Sequence, residues 1–352
     1  GAVGLLGAVP DMASPLPILV LFGIAYFGAE IAFVFYSAML PSLASKAEIG
    51  HLSGRGYAWG YMAGILSLVL VLGFLAPAPG GETTLLGLSP AFGLDPAQGE
   101  PQRATGPLAA LWFVLFAVPL FLVIPDAPRR ANPGSAVRSG LAALTASIKS
   151  LPGERSLFAF LIGSMLYRDA LAGVYIFGGI YAAGVLGWGT FQLGVFGIIA
   201  ALVAALGAWL GGRADRAFGP KPVVLVSVCA LILVCIVTLS TNRTSVLGMA
   251  VDAGSQLPDI TFNICGALIG GFGGALQAAS RTLLVFQADG RMSITQAFGL
   301  YALSGKATAF LAPLLIGVVT TMSGSQAWGI TPVIGLFALS LLLLRYVHQD
   351  KV

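Results

Sequence analysis

Apolar residues in this chain do not alternate or recur every third and fourth position. They run almost unbroken over stretches long enough to cross a bilayer as helices, about twenty residues each. The complete stretches are Ser14 to Tyr36, Gly56 to Leu75, Gly106 to Ile124, Ser156 to Leu186, Thr190 to Leu210, Pro222 to Leu239, Phe262 to Phe286, Gln296 to Thr320 and Trp328 to Val347. Ahead of them, GAVGLLGAV is apolar but too short to span, and reads as the tail of a further helix. The pattern predicts an all-α, polytopic membrane protein with nine full spans and a fragment. Two long polar intervals interrupt it. Ala76 to Thr105 is rich in glycine and proline, and Pro125 to Arg155 is basic. Within the second, Val137, Leu141, Leu144, Ile148 and Leu151 recur at helical spacing, which predicts an amphipathic helix at the membrane surface.

Composition agrees. The chain is 57% hydrophobic and 9% charged, with a mean hydropathy of +0.92, whereas about a quarter of residues are charged in a soluble domain. The net charge of +4 is modest and its carriers are scattered, which excludes a nucleic-acid footprint. Instead the basic residues report topology. Alternate intervals carry Lys46 and Arg55, then Arg129, Arg130, Arg138, Lys149 and Arg155, then Arg213, Arg216 and Lys221, then Arg291, then Arg345 and Lys351; the other side has Arg103 and Arg243. Basic residues concentrate in cytoplasmic loops, so the C-terminus is expected in the cytoplasm. Cys229, Cys235 and Cys265 lie in apolar runs without metal-ligand spacing, and His51 and His348 fall in expected loops. No metal, cofactor or disulfide framework is expected. The intervals also lack a nucleophile elbow, a phosphate-cradling loop and a paired histidine and acid cluster, so an enzyme is not expected.

Charges inside the spans are the candidate chemistry, because an ionised group at membrane depth is costly unless it is paired or hydrated. Lys306 lies eight residues into FGLYALSGKATAFLAPLL, roughly 12 Å along a helix. It either snorkels to the nearer interface or faces a cavity, meeting an anionic substrate or a carboxylate. Glu30 sits near the middle of its span and suits proton coupling or a neutral hydrogen bond to another helix. Asp169 is similarly deep, and its neighbour Arg168 points about 100° away, so one can face a cavity while the other pairs across the bundle. Arg281, near a span end, is expected to snorkel or anchor the next turn. Tyr167, Tyr175 and Tyr181 are candidate cavity-lining residues, or plain packing. Gly266, Gly270 and Gly274 repeat every fourth residue and predict close helix packing.

The interval GGRADRAFGPK resembles the loop motif of major facilitator transporters. Gly211, Asp215, Arg216, Gly219 and Lys221 match it, with one extra residue before Gly219. Such a turn lets Asp215 meet helix ends and basic groups, latching one conformation. Longer runs, FVFYSAMLPSLAS with GHLSGRGYAWGYMAG, LYRDALAGVYIFGGIYAAGVLG, and ALQAASRTLLVFQ with FGLYALSGKATAFLAPLLIG, are similar to the vacuole-effluxer branch of that superfamily, which includes autophagy-related vacuolar permeases.

The resemblance implies two helical bundles that rock about a central site. On it, 1–124 is the remainder of the N-terminal bundle, 125–155 the cytoplasmic linker and 156–352 the C-terminal six-helix bundle with a short tail; the first two helices and most of the third of the family's twelve are expected to be absent. The implied activity is secondary active transport, proton-linked efflux of amino acids or similar small metabolites, by a carrier expected to be a monomer in a plasma or bacterial inner membrane. In that scheme Glu30, Asp169, Arg168 and Lys306 serve substrate or proton. A non-transporting receptor or scaffold on a degenerate transporter fold is the alternative.

Overall fold

The computed structural model describes residues 2–9, 14–78, 81–124, 136–252 and 254–348. Its helices are α1 (Leu16–Ala38), α2 (Leu40–Leu43), α3 (Ile49–Leu70), α4 (Glu100–Val123), α5 (Ala136–Ser150), α6 (Arg155–Gly184), α7 (Thr190–Phe218), α8 (Pro220–Leu239), α9 (Leu257–Ala288), α10 (Ile294–Ala307), α11 (Leu311–Ser323) and α12 (Thr331–Leu344). Among the described residues, 9 helical segments are long and apolar enough to cross a membrane, and they coincide with the nine expected spans. Helices are the form that satisfies every backbone polar group within one segment in lipid. The protein is a multi-pass integral membrane protein. A small antiparallel sheet, β1 (Thr241–Asn242), β2 (Ser245–Val246) and β3 (Met249–Ala250), links α8 to α9.

The chain divides into two compact units, Gly1–Phe33 with Gly64–Gly140, and Val34–Ala63 with Leu141–Val352. The end of α1 and the first half of α3 fall in the same unit as the later helices. In the first unit, the opening fragment forms a short 3-10 helix over Ala2–Gly7. It lies on α4 at Gly106, where an added Cβ would stand 2.9 Å from the Leu5 Cβ, and the Arg103 Nη1 donates to the Leu6 carbonyl at 3.0 Å. The amphipathic segment is helical as α5. Leu144 and Leu151 pack on the core of the second unit, while the proline-rich beginning of the linker at 125–135 lies outside the described residues.

In the second unit α6 is the inner post. In its most apolar window 72% of residues are buried, at a mean hydropathy of 1.4, whereas the window of α8 reaches 3.0. α9 is its counterpart at 1.3. α9 approaches α7 through missing side chains. A Cβ at Gly266 would strike the Phe196 ring, at Gly270 the Ala200 carbonyl and at Gly274 the Ala204 carbonyl, while one at Gly211 would lie 2.7 Å from the Ala275 Cβ. The expected glycine stripe is thus the seam between these helices.

A second close approach brings α3 onto the far end of α7. At Gly54 a Cβ would lie 2.6 Å from the Gly212 Cα, and at Gly50 it would lie 2.6 Å from the Asp215 Oδ2. The expected loop Gly211–Lys221 is mostly helix: Gly211, Asp215 and Arg216 belong to α7, and the turn is confined to Gly219, whose φ is +84°. Alanine and arginine in GGRADRAF favour the helix, and the glycine followed by Pro220 ends it. The Asp215 carboxyl sits against the first turn of α3, at Gly50. His51 is also on α3 rather than in a loop. Ion pairs ring this end: Arg216 with Glu48 at 2.8 Å, Arg291 with Glu154 at 3.0 Å, and Lys46 with Asp289. Lys221 donates to the Val347 carbonyl at 2.6 Å.

The expected span Gln296–Thr320 is not one rod. α10 begins at a reciprocal cap between Ser293 and Gln296 and stops at Ala307, and α11 resumes at Leu311. Pro313 accounts for the gap, because its ring clashes with the carbonyl four residues earlier, that of Ala309, and it offers no N–H to it.

Two outcomes follow from these approaches. Gly270→Ala, which presses a methyl on the Ala200 carbonyl, lowers stability by about 1–3 kcal/mol, whereas Gly299→Ala, with nothing within 4 Å of the new atom, does not; thermal melting in detergent reads the difference. Gly54→Leu props α3 off α7. Spin labels at Ala47 and Ala217 then shift to a longer distance by pulsed electron resonance, and an unchanged distance would contradict this account of the contact.

Candidate functional site

At membrane depth the second unit gathers tyrosine and arginine from α1, α3, α6, α9 and α10. Arg168 lies roughly 20 Å along α6 from Arg155. Its guanidinium stacks on Tyr301, 3.9 Å from the ring centroid, and Nη1 donates to the Tyr301 carbonyl at 2.5 Å. Gly305 leaves it room, since a Cβ there would sit 2.5 Å from the Arg168 Cζ.

Arg281 does not snorkel. It is 3% exposed, with its guanidinium 4.7 Å from the Tyr57 ring centroid and 5.3 Å from that of Tyr36. Its Nε donates to the Ser53 Oγ at 3.1 Å and Nη2 to the Ser53 carbonyl at 3.0 Å. The Ser53 hydroxyl in turn donates to the Ala278 carbonyl at 2.8 Å, so one serine on α3 is tied twice to α9. Gly56 is required here, because a Cβ would lie 2.7 Å from the Tyr36 Oη and 3.4 Å from the Arg281 Nη2. Sequence position alone suggested a span end; the α3 contact that buries Arg281 is a tertiary feature. The available signal was the small-residue run Ser53, Gly54 and Gly56, spaced to face another helix.

Asp169 and Arg168 diverge as their adjacency requires. Asp169 is 2% exposed. Its Oδ2 has no hydrogen-bond partner among the described residues. Arg168 of α6 packs on the last turns of α10, at Tyr301 and Gly305, just before the break. Lys306 stands in the last turn of α10 and is exposed, placed at a helix end rather than inside a continuous helix. Glu30 is half-buried on α1, in the first unit.

The three candidate tyrosines separate. Tyr167 is buried, its hydroxyl donating to the Ser280 Oγ at 2.7 Å. Tyr181 is fully buried, bonded to the Thr241 carbonyl at 2.5 Å and stacked on Phe262 with centroids 5.5 Å apart. Both are core residues, correcting the expectation of a cavity lining. Tyr175 alone of the three lines a cavity, of about 420 Å³, with Tyr61, Phe177, Phe196, Phe262 and Gly270. Gln277 donates to the Tyr61 hydroxyl at 2.7 Å. A larger hollow, about 860 Å³, opens at the Asp215 end beside Lys46, Gly50, Arg216, Lys221 and His348. The Asp215 Oδ2 has no partner among the described residues.

Solved structures and relatives share this architecture. A transporter of the major facilitator superfamily, FucP, crystallised in the outward conformation, superposes with a TM-score of 0.63 at 13% identity, over 90% of this chain and 72% of that one. A second crystal structure, of a single-residue variant of the E. coli fucose:proton symporter FucP, gives the same TM-score and identity over 90% and 73%. In sequence, the uncharacterized MFS-type transporter YxiO of Bacillus subtilis (strain 168) is 22% identical over 335 residues, which is 95% of this chain and 72% of the relative. The family model described as "Vacuole effluxer Atg22 like" matches residues 16–352. With that match over nearly its whole length, the chain belongs to the vacuole effluxer Atg22-like family of major facilitator-type membrane transporters.

Proposed function

We propose that this protein is a proton-linked secondary transporter that exports amino acids or similar small metabolites by alternating access. It works as a monomer in a plasma or bacterial inner membrane, with its C-terminus in the cytoplasm. The observation that carries the reading is Asp169. Its carboxyl is buried in α6, and its Oδ2 has no hydrogen-bond partner among the described residues. A proton can join and leave that oxygen without breaking an existing hydrogen bond. α6, which carries this carboxyl, packs on both α10 and α11, and discontinuous helices of this kind form ion and substrate sites in transporters.

Two further features support alternating access. The α3 end closes on α7 and α9 through glycine contacts and hydrogen bonds rather than a large apolar interface, so the closure is reversible. Its rim pairs, Arg216 with Glu48 and Lys46 with Asp289, are solvent-exposed, and such pairs contribute little, about 0–1 kcal/mol. Glu30, on α1, is a second proton-carrying candidate; Lys306, beside the break, is placed to exchange partners as the joint moves.

The protein reconstituted in proteoliposomes with an internal pH dye tests this. A pH gradient drives uptake of members of an amino-acid panel. Asp169→Asn lowers that gradient-driven flux about tenfold or more, a loss of roughly 1.4 kcal/mol, while solute exchange at equal pH continues; Glu30→Gln weakens it as well. Flux that ignores the gradient and survives both substitutions overturns the proton linkage. Absence of flux for every solute overturns the transporter reading.

A further inference from the structure

The hollow of about 860 Å³ at the Asp215 end, where Lys46, Arg216, Lys221 and His348 face the carboxylate of Asp215, shares a wall with a second space. That space is a groove of about 520 Å³ between α7, α8 and α9, and its sides are apolar: Leu206, Leu210, Val226 and Leu268. Phe218 and Pro222 line both, so the groove begins where the basic hollow ends. Gly207, Gly211 and Gly271 also line the groove, and the α7–α9 seam thereby forms its bottom without side chains to fill it. Leu206, Leu210, Val226 and Leu268 are exposed on the chain by itself. Since α7, α8 and α9 are membrane spans, that face looks onto lipid. From Phe218 to Val203 the groove follows α7 for about fifteen residues, roughly 22 Å, more than the roughly 15 Å that one leaflet supplies to a hydrocarbon core of about 30 Å. A lipid chain entering beside Phe218 stays in contact along its length.

At the mouth of the groove the chemistry turns cationic. Lys46 and Arg216 are each held by an exposed carboxylate, Asp289 and Glu48, and such surface pairs contribute little. An ammonium has three donors and a guanidinium five, so either side chain can add a phosphate to its present contact through charge-assisted hydrogen bonds. Lys221, whose Nζ donates to the Val347 carbonyl at 2.6 Å, brings a third positive charge to the same hollow. Asp215 does not oppose this at the surface, because it is 4% exposed and turned against Gly50, behind the exposed Lys46 and Arg216. A free anion uses the hollow and leaves the groove empty. A neutral lipid uses the groove and leaves the cations aside. A lipid that carries a phosphate above its chains matches both.

We propose that the groove and the hollow together bind one phospholipid with an anionic headgroup: an acyl chain lies along α7 between α8 and α9, and the headgroup phosphate meets Lys46, Arg216 and Lys221. These cations come from the approach to α3, from the end of α7 and from the first turn of α8. The headgroup therefore ties α3 to the α7–α8 turn and supports the close approach of Gly54 to Gly212. The site requires only that the chain spans a membrane, and it is independent of any solute carried.

Native mass spectrometry of the delipidated protein in detergent, titrated with defined lipids, tests the site. Phosphatidylglycerol is compared with phosphatidylcholine and diacylglycerol of the same chains, and with glycerol phosphate, which has the anion and no chain. One phosphatidylglycerol binds saturably, about tenfold or more tighter than phosphatidylcholine, the scale of one charge-assisted contact, and diacylglycerol and glycerol phosphate bind more weakly than either phospholipid. Lys46→Gln and Lys221→Gln each lower the preference for phosphatidylglycerol, and together they abolish it. Val226→Trp, which fills the groove from its lipid-facing side, weakens both phospholipids. Melting temperature without lipid establishes that each variant is folded; where Lys221→Gln lowers it, Lys46→Gln and Val226→Trp decide. Equal binding of phosphatidylglycerol and phosphatidylcholine, glycerol phosphate binding as tightly as the whole lipid, or binding unchanged in these variants overturns the site. Flux in proteoliposomes does not enter this measurement, so the lipid site and the transporter reading fail separately.

Discussion

Within a bilayer, lipid tails are as apolar as leucine, so burial of apolar side chains gives little reason for one helix to choose another. Association must come from backbones close enough for dense van der Waals contact and from polar groups that cross between helices. α9 supplies both. One face is stripped of side chains at Gly266, Gly270 and Gly274 and seats on the α7 backbone. Another face carries Gln277, Ser280 and Arg281 to Tyr61, Tyr167 and Ser53. The glycine seam fixes where α9 lies, and that position decides which way the polar face looks. The tyrosine–arginine cluster therefore depends on residues that carry no functional group.

Much of this was legible in the amino-acid order. Spans appear as long apolar runs because each must cover the hydrocarbon thickness, and the glycine seam appears as a period of four because that is the repeat of one helix face. The amphipathic α5 was readable for the same reason. What escaped was set by partners distant in sequence. Arg281 stands near the end of α9, where a lone helix would let it reach water, but α3 covers that end. Tyr167 and Tyr181 share the span of Tyr175, yet their positions on the wheel turn them into the bundle, and only packing tells inside from outside there.

The break after Ala307 has a different lesson. Pro313 was in plain view, and its steric conflict with the Ala309 carbonyl is a local rule. An apolar run long enough to span hid it, because length tests hydrophobicity and says nothing of continuity. Once the gap is recognised, one neighbour acquires a purpose: α6 lays Arg168 on the last turns of α10, at Tyr301 and Gly305, where the helix is about to stop.

The helices that carry the cluster, α6 and α9, are also the least greasy of the second unit, with mean hydropathies of 1.4 and 1.3 beside 3.0 for α8. Partition into lipid during synthesis follows such differences. α6 leaves the ribosome before α7 and α8 exist, so its arginine and aspartate meet the translocon without company. α6 therefore enters the membrane before α10, which carries Tyr301, the aromatic face under Arg168, has been made.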